Sequence, residues 1–174
     1  LRGAEIHGVR TNRDLLVRIL GHESFLAGDT DTAFLDRHGL DILSRPIADE
    51  RATRVSALAA SLALAAANRR DAAVLAGVPS GWRNMASQPQ HKSFRTLTSG
   101  PDDPEIVVAY RLTRDGLQAE GFDDVDLVSA EPGLVILRLG GVQRRFRVAS
   151  YDELVCVDSP LGPVALQAAE ARAA

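Results

Sequence analysis

The chain has 174 residues, and 23 acidic against 20 basic side chains give it a net charge of −3. That balance, with arginines scattered rather than gathered in a stripe, excludes a nucleic-acid-binding surface. The longest uncharged apolar run, Val55 to Ala67, falls short of the roughly 20 residues that cross a bilayer, and no charged start leads into a signal sequence.

The first 40 residues read as two short amphipathic helices. Thr11 and Asp14 are spaced as a capping box, and Leu15, Leu16, Ile19 and Leu20 then form one apolar face at helical spacing. Gly28-Asp29-Thr30-Asp31 reads as a turn into a second helix, with Phe34 and Leu35 facing inward. Helices this short do not hold in water alone. They are expected to pack on the rest of the chain or on a piece that these residues do not include.

Asp41 to Pro46 form a polar connection. A long helix is expected from Ile47 to about Gly77, with Asp49 and Glu50 at its positive end, Gly77 as C-cap and Pro79 beyond. From Val55 to Ala67 it is apolar or small around its whole circumference, the mark of a helix buried on most sides. Its alanines keep it thin, so other backbone can approach closely.

After a loop at residues 78–91 the pattern changes to strand period. Strands are expected at residues 94–98, 106–112, 117–121, 125–129, 134–139, 142–148, 153–157 and 163–167. Turn residues separate them, and Gly140-Gly141 is a two-residue hairpin signal. Short antiparallel strands favour closure into a barrel, which removes exposed edges. An all-round apolar helix needs a wrapper and the strands need a filler. The expected fold is therefore α+β, a long central helix wrapped by an eight-stranded antiparallel barrel-like sheet. An ordinary eight-stranded barrel is too narrow for a helix, so this one should be splayed or incompletely closed.

Chemistry is hard to find. His7, His22, His38 and His91 lack metal-ligand spacing; His22 and His38 sit near helix ends, where capping is the usual role. Asp29, Asp31 and Asp36 lack the loop of a calcium site. Asp102, Asp103 and Glu105 lie in loop sequence, and Ser80 and Ser159 have no suitably spaced histidine. The single Cys156 excludes an internal disulfide, fits a reducing cytoplasm and reads as a buried inert thiol. Lys92 is the one lysine and reads as a surface residue. No catalytic, cofactor-binding or metal-binding residue is assigned. The segment that suggests function is Val78 to Met85, which carries the only tryptophan and methionine beside an arginine. Such residues are enriched at interfaces. Pro79, Ser80, Gly81, Trp82, Arg83, Asn84 and Met85 are expected to bind a partner, with Trp82 alternatively folding back to plug the barrel end.

Glu5 to Gly39 resembles the C-terminal edge of the biotin carboxylase module of biotin-dependent acyl-CoA carboxylases. The shared steps are Gly8-Val9-Arg10-Thr11-Asn12 into a helix, Phe25 to Gly28, Asp31-Thr32, and Phe34-Leu35. The order that follows, long helix then strands, is similar to the BT (biotin carboxylase–carboxyltransferase interaction) domain of their α subunits. Gly81-Trp82-Arg83-Asn84 and Val157-Asp158-Ser159-Pro160-Leu161-Gly162 carry that likeness. The resemblance implies a biotin carboxylase edge at residues 1–40 and a linker at 41–46. A BT domain would follow at 47–170, divided into a central helix (47–77), a hook-like loop (78–91) and strands (92–170).

It further implies a non-catalytic assembly fragment of a ligase that uses ATP, Mg or Mn and biotin. Its partner would be the carboxyltransferase β subunit, in a large cytoplasmic hetero-oligomer with six copies of each subunit. Biotin is carried on a methionine-flanked lysine in a hairpin turn, and the chain's one methionine, Met85, does not flank Lys92, so the carrier is not among these residues. Acetyl-, propionyl- and methylcrotonyl-CoA all remain possible substrates of the parent enzyme, which would belong to fatty-acid metabolism. Arginine in place of lysine, with abundant alanine, is in keeping with a GC-rich bacterial genome. The alternative reading is a stand-alone barrel that binds an apolar ligand or a protein without catalysis.

Overall fold

The computed structural model describes residues 1–71, 89–97 and 105–169. Four short helices come first: α1 (Arg13–Leu20), α2 (Glu23–Leu26), α3 (Phe34–His38) and α4 (Leu40–Leu43). The stretch read as two short helices holds three, α1 to α3, and α4 follows at the start of the expected connection. Gly28, in the expected turn, and Gly39, between α3 and α4, take positive φ, at 80° and 76°. Such backbone cannot continue a right-handed helix. The capping box does not form. Thr11 Oγ1 accepts from the Arg13 amide at 3.4 Å, while Asp14 Oδ2 turns away to accept from the amide of Ile47 at 3.1 Å. Phe34 is buried as expected, but Leu35 is exposed.

Helix α5 (Glu50–Asp71) follows. It begins three residues later than the periodicity indicates, because Asp49 is its cap: Oδ1 accepts from the Ala52 amide at 2.7 Å. Residues 72–77, the expected remainder of the helix, lie outside the described residues. Val55 through Ala63 are nine consecutive residues with at most 1% exposure. At 100° per residue they cover the full circumference more than twice, so the helix is enclosed rather than laid on a surface.

The enclosing sheet has β1 (Gln90–Thr96), β2 (Ile106–Thr113), β3 (Gly116–Ala119) and β4 (Val125–Glu131). It continues with β5 (Leu134–Leu139), β6 (Val142–Tyr151), β7 (Leu154–Asp158) and β8 (Val164–Ala168). All pairings are antiparallel, in the order β3-β2-β1-β8-β7-β6-β5-β4. The two end strands, β3 and β4, approach each other without joining that ladder. The sheet is therefore a nearly closed barrel with one seam, as expected from the width of the helix. β1 starts at Gln90, so the last two residues assigned to the loop belong to the sheet.

Alternation along each strand sends one side chain inward and the next outward. Phe94, Val108, Tyr110, Val135, Leu137, Phe146, Val148, Val155, Val157 and Leu166 meet Leu58 and Leu62 of α5 in one core. Gly140 and Gly141 both have positive φ, as a primed two-residue turn requires. In β4 the register slips between Leu127 and Ser129, leaving Val128 exposed; such a bulge bends the strand around the helix. Gly162 has φ +125°, and a Cβ there would lie 2.6 Å from the Ala48 amide nitrogen. The Ser159–Gly162 turn therefore presses directly on the chain entering α5.

Candidate interaction surfaces

The expected contact residues Pro79, Ser80, Gly81, Trp82, Arg83, Asn84 and Met85 lie outside the described residues. The structure does describe the mount that carries their segment. It leaves the last described turn of α5, where Arg70 pairs with Asp71 at 2.8 Å, and returns at Gln90, the first residue of β1. Buried Tyr110 on β2 links the start of β1 to the middle of α5. Its hydroxyl donates to Gln90 Oε1 at 3.1 Å and lies 3.5 Å from the Ser61 carbonyl of α5. Burial pushes the Tyr110 phenol up to about 12, against a smaller opposing pull from Arg69. Gln90 pairs opposite Tyr110 in the ladder, so the start of β1 is fixed through Tyr110 to the middle of the helix.

A second surface joins the N-terminal residues to the outside of the barrel. On β7, Val155 and Val157 face the core, which turns Cys156 and Asp158 outward. Both are nevertheless covered, because residues 2–8 run across them as a strap. His7 bridges Asp158, at 2.6 Å from Nε2, and the Tyr151 hydroxyl, at 3.1 Å from Nδ1. Glu5 pairs with Arg147 of β6, and Arg2 donates to the Pro160 carbonyl at 3.4 Å. The Gly8 backbone lies near the Cys156 thiol. Burial and the Asp158 charge push that thiol up, outweighing the Gly8 contact.

Arg13 organises the strap from behind. Of the charged residues it alone is buried among the described residues. It donates to the Ala4 carbonyl and lies 3.8 Å from Asp158 Oδ1 and 3.5 Å from Asp14 Oδ1. Its own helix, α1, is fixed to the connection before α5. Arg18 donates to the carbonyls of Arg45 and Pro46 at 3.1 and 2.9 Å, beside the Asp14–Ile47 bond. None of these long-range contacts was legible locally.

His22 does cap a helix, its Nδ1 accepting from the Ser24 amide at 3.3 Å. His38 instead packs its ring, tilted by 51° and 53°, against those of His22 and Phe34 at centroid distances of 4.1 and 4.6 Å. Asp31 is held by Arg37 at 2.7 Å, a hydrogen bond that lowers its carboxyl, and Glu105 pairs with Arg95 at 3.0 Å. Lys92 stands exposed within β1 opposite Val108, a ladder position rather than a hairpin tip. Among the described residues no three His, Cys, Asp or Glu side chains gather as a metal-binding group. No described helix is long and apolar enough to cross a membrane. An open cleft of about 280 Å³ lies at the mouth where α5 enters, between Arg51, Asp124, Arg144 and Leu161; Arg51 pairs there with Asp124, whose carboxyl is lowered by that hydrogen bond.

Compared with known families, residues 52–171 match the model for the BT domain of the methylcrotonyl-CoA carboxylase alpha subunit. The matched span runs from the first turns of α5 past the end of β8, so it takes in the helix and all eight strands. The strap and α1 to α4 precede it. A search of curated proteins finds no match.

Proposed function

The chain belongs to the BT-domain family of the methylcrotonyl-CoA carboxylase alpha subunit, and on that premise we propose that it docks biotin carboxylase onto the carboxyltransferase β subunit. The family assignment makes it a subunit-interaction region of a biotin-dependent carboxylase α subunit. The observation that carries the finer reading is the helix-filled barrel within the matched span, since the chain bearing Trp82 and Arg83 connects its central helix to its first strand. A rigid mount lowers the ordering cost of presenting such a segment to a partner. Trp and Arg are the residue types that dominate interface energetics.

Residues 1–40 are, in this reading, the edge of the biotin carboxylase module. Their apolar residues support it: Leu20, Leu26 and Leu40 are 48–72% exposed, a face suited to cover by the rest of such a module. The parent enzyme would use ATP, a divalent metal and bicarbonate to carboxylate biotin, then pass the carboxyl group to an acyl-CoA; the family's description makes methylcrotonyl-CoA our choice. In this reading the ATP, metal and biotin sites belong to other parts of the parent enzyme. The described residues offer no metal-binding group, and Lys92 is held in a strand. No catalytic step is assigned to them.

The alternative, a barrel binding an apolar ligand, is disfavoured because α5 occupies the space such a ligand would take. The test is co-purification with the carboxyltransferase subunit. Replacing Trp82 and Arg83 together with alanine should weaken assembly by 100-fold or more, on the order expected for two interface anchors, while the barrel stays folded by circular dichroism. Unchanged co-purification would overturn the assignment of this segment.

A further inference from the structure

We propose that residues 2–8 are a closing strap that converts the N-terminal helical block from a hinged appendage into a fixed bracket on the barrel, with His7 and Asp158 as its fastening. This goes beyond the docking role and does not depend on it. A block joined to a barrel by one connection swings about that connection. Here the block has two attachments.

The first is the connection itself, where Asp14 and Arg18 of α1 hold residues 45–47 and Gly162 packs on Ala48. The second is the strap, whose fastening contacts fall on β6, β7 and the turn after β7. His7 and Asp158 are joined although they lie 151 residues apart, and their side chains are each only 16% exposed. Arg13 belongs to both attachments, since it touches Ala4 on the strap, Asp158 on the barrel and Asp14 on its own helix. Two anchor points along a rigid barrel fix the orientation of whatever the block carries.

The strap comes with its own reporter. Cys156 is the only cysteine and is 4% exposed. It faces away from the barrel core beneath Gly8, so the strap covers it. Opening of the strap would expose the thiol while the barrel stays folded. Opening that exposes little surface depends weakly on urea, whereas global unfolding depends on it steeply.

The experiment measures the rate at which a soluble disulfide reagent labels Cys156 in the full chain, across low urea concentrations, alongside circular dichroism. The proposal expects labelling far slower than in the denatured chain, with a shallow urea dependence. His7→Ala should raise the rate on the order of tenfold, the loss typical of a hydrogen bond to a charged group, with the melting curve of the barrel unchanged. Asp126→Ala, which breaks an exposed pair with Arg138 on β5, should leave labelling unchanged. Labelling as fast as in the denatured chain, or with the full urea dependence of unfolding, would overturn the strap. So would a His7→Ala rate equal to the parent's. Should His7→Ala fail to fold, the urea dependence of the unaltered chain decides between the same two outcomes.

Discussion

Helix α5 and the N-terminal block are both helical, yet they are held by opposite means. Nine consecutive α5 residues are sealed inside the barrel, whereas the first 47 residues bury only Arg13, Phe34 and Leu43. Apolar contact specifies the one; a few polar contacts between distant residues specify the other. The contrast separates stability from placement. The barrel core determines whether the molecule folds, and the strap and connection determine where the block sits.

The largest effect expected from breaking this contrast is in the barrel. Leu62 is 1% exposed and belongs to the core around α5. Leu62→Ala should cost about 3–4 kcal/mol, as buried leucine truncations do, read by urea unfolding. A cost below about 1 kcal/mol would mean that the helix is not enclosed. Next comes the junction of the two regions. Gly162→Ala places a Cβ against the Ala48 backbone at a φ that L residues avoid. It should cost about 2–3 kcal/mol through overpacking and strain, and an unchanged melting temperature would contradict the close approach.

Comparable in size, but confined to high pH, is an effect at the buried phenol of Tyr110. Tyr110 has its pKa raised from 10.0 to about 12. The unfolded chain therefore releases this proton first as pH rises. The stability that Tyr110 contributes is complete below pH 10 and is lost progressively as pH rises through 12, by on the order of 2–3 kcal/mol. Tyr110→Phe should flatten that decline in unfolding experiments between pH 10 and 12. An unaltered slope would mean that the phenol is not desolvated there.

The same contrast explains what could be read from the sequence. Alternating strands and turn residues are local signals, and they located all eight strands, with β5 at the expected bounds. The all-round apolar character of residues 55–67 pointed to a filled barrel, since a two-sided helix would have shown a polar face. The N-terminal block was misread where its partners are remote. Asp14 looked like half of a capping box because Ile47, its actual partner, lies 33 residues on. Asp158 was noted only within the stretch 157–162 that carries the family likeness, and nothing near it in sequence announces His7. Cys156 was read as inert, and burial beneath Gly8 accounts for that. The partner segment at residues 79–85 was chosen by residue type alone and lies outside the described residues.

Binding to the carboxyltransferase subunit is the most direct test of the central claim that this chain serves assembly. Titrating the purified chain with the carboxyltransferase β subunit of the same enzyme, followed by size-exclusion chromatography, should give a stable complex in which both proteins co-elute. Two proteins that elute separately at micromolar concentrations would contradict the account.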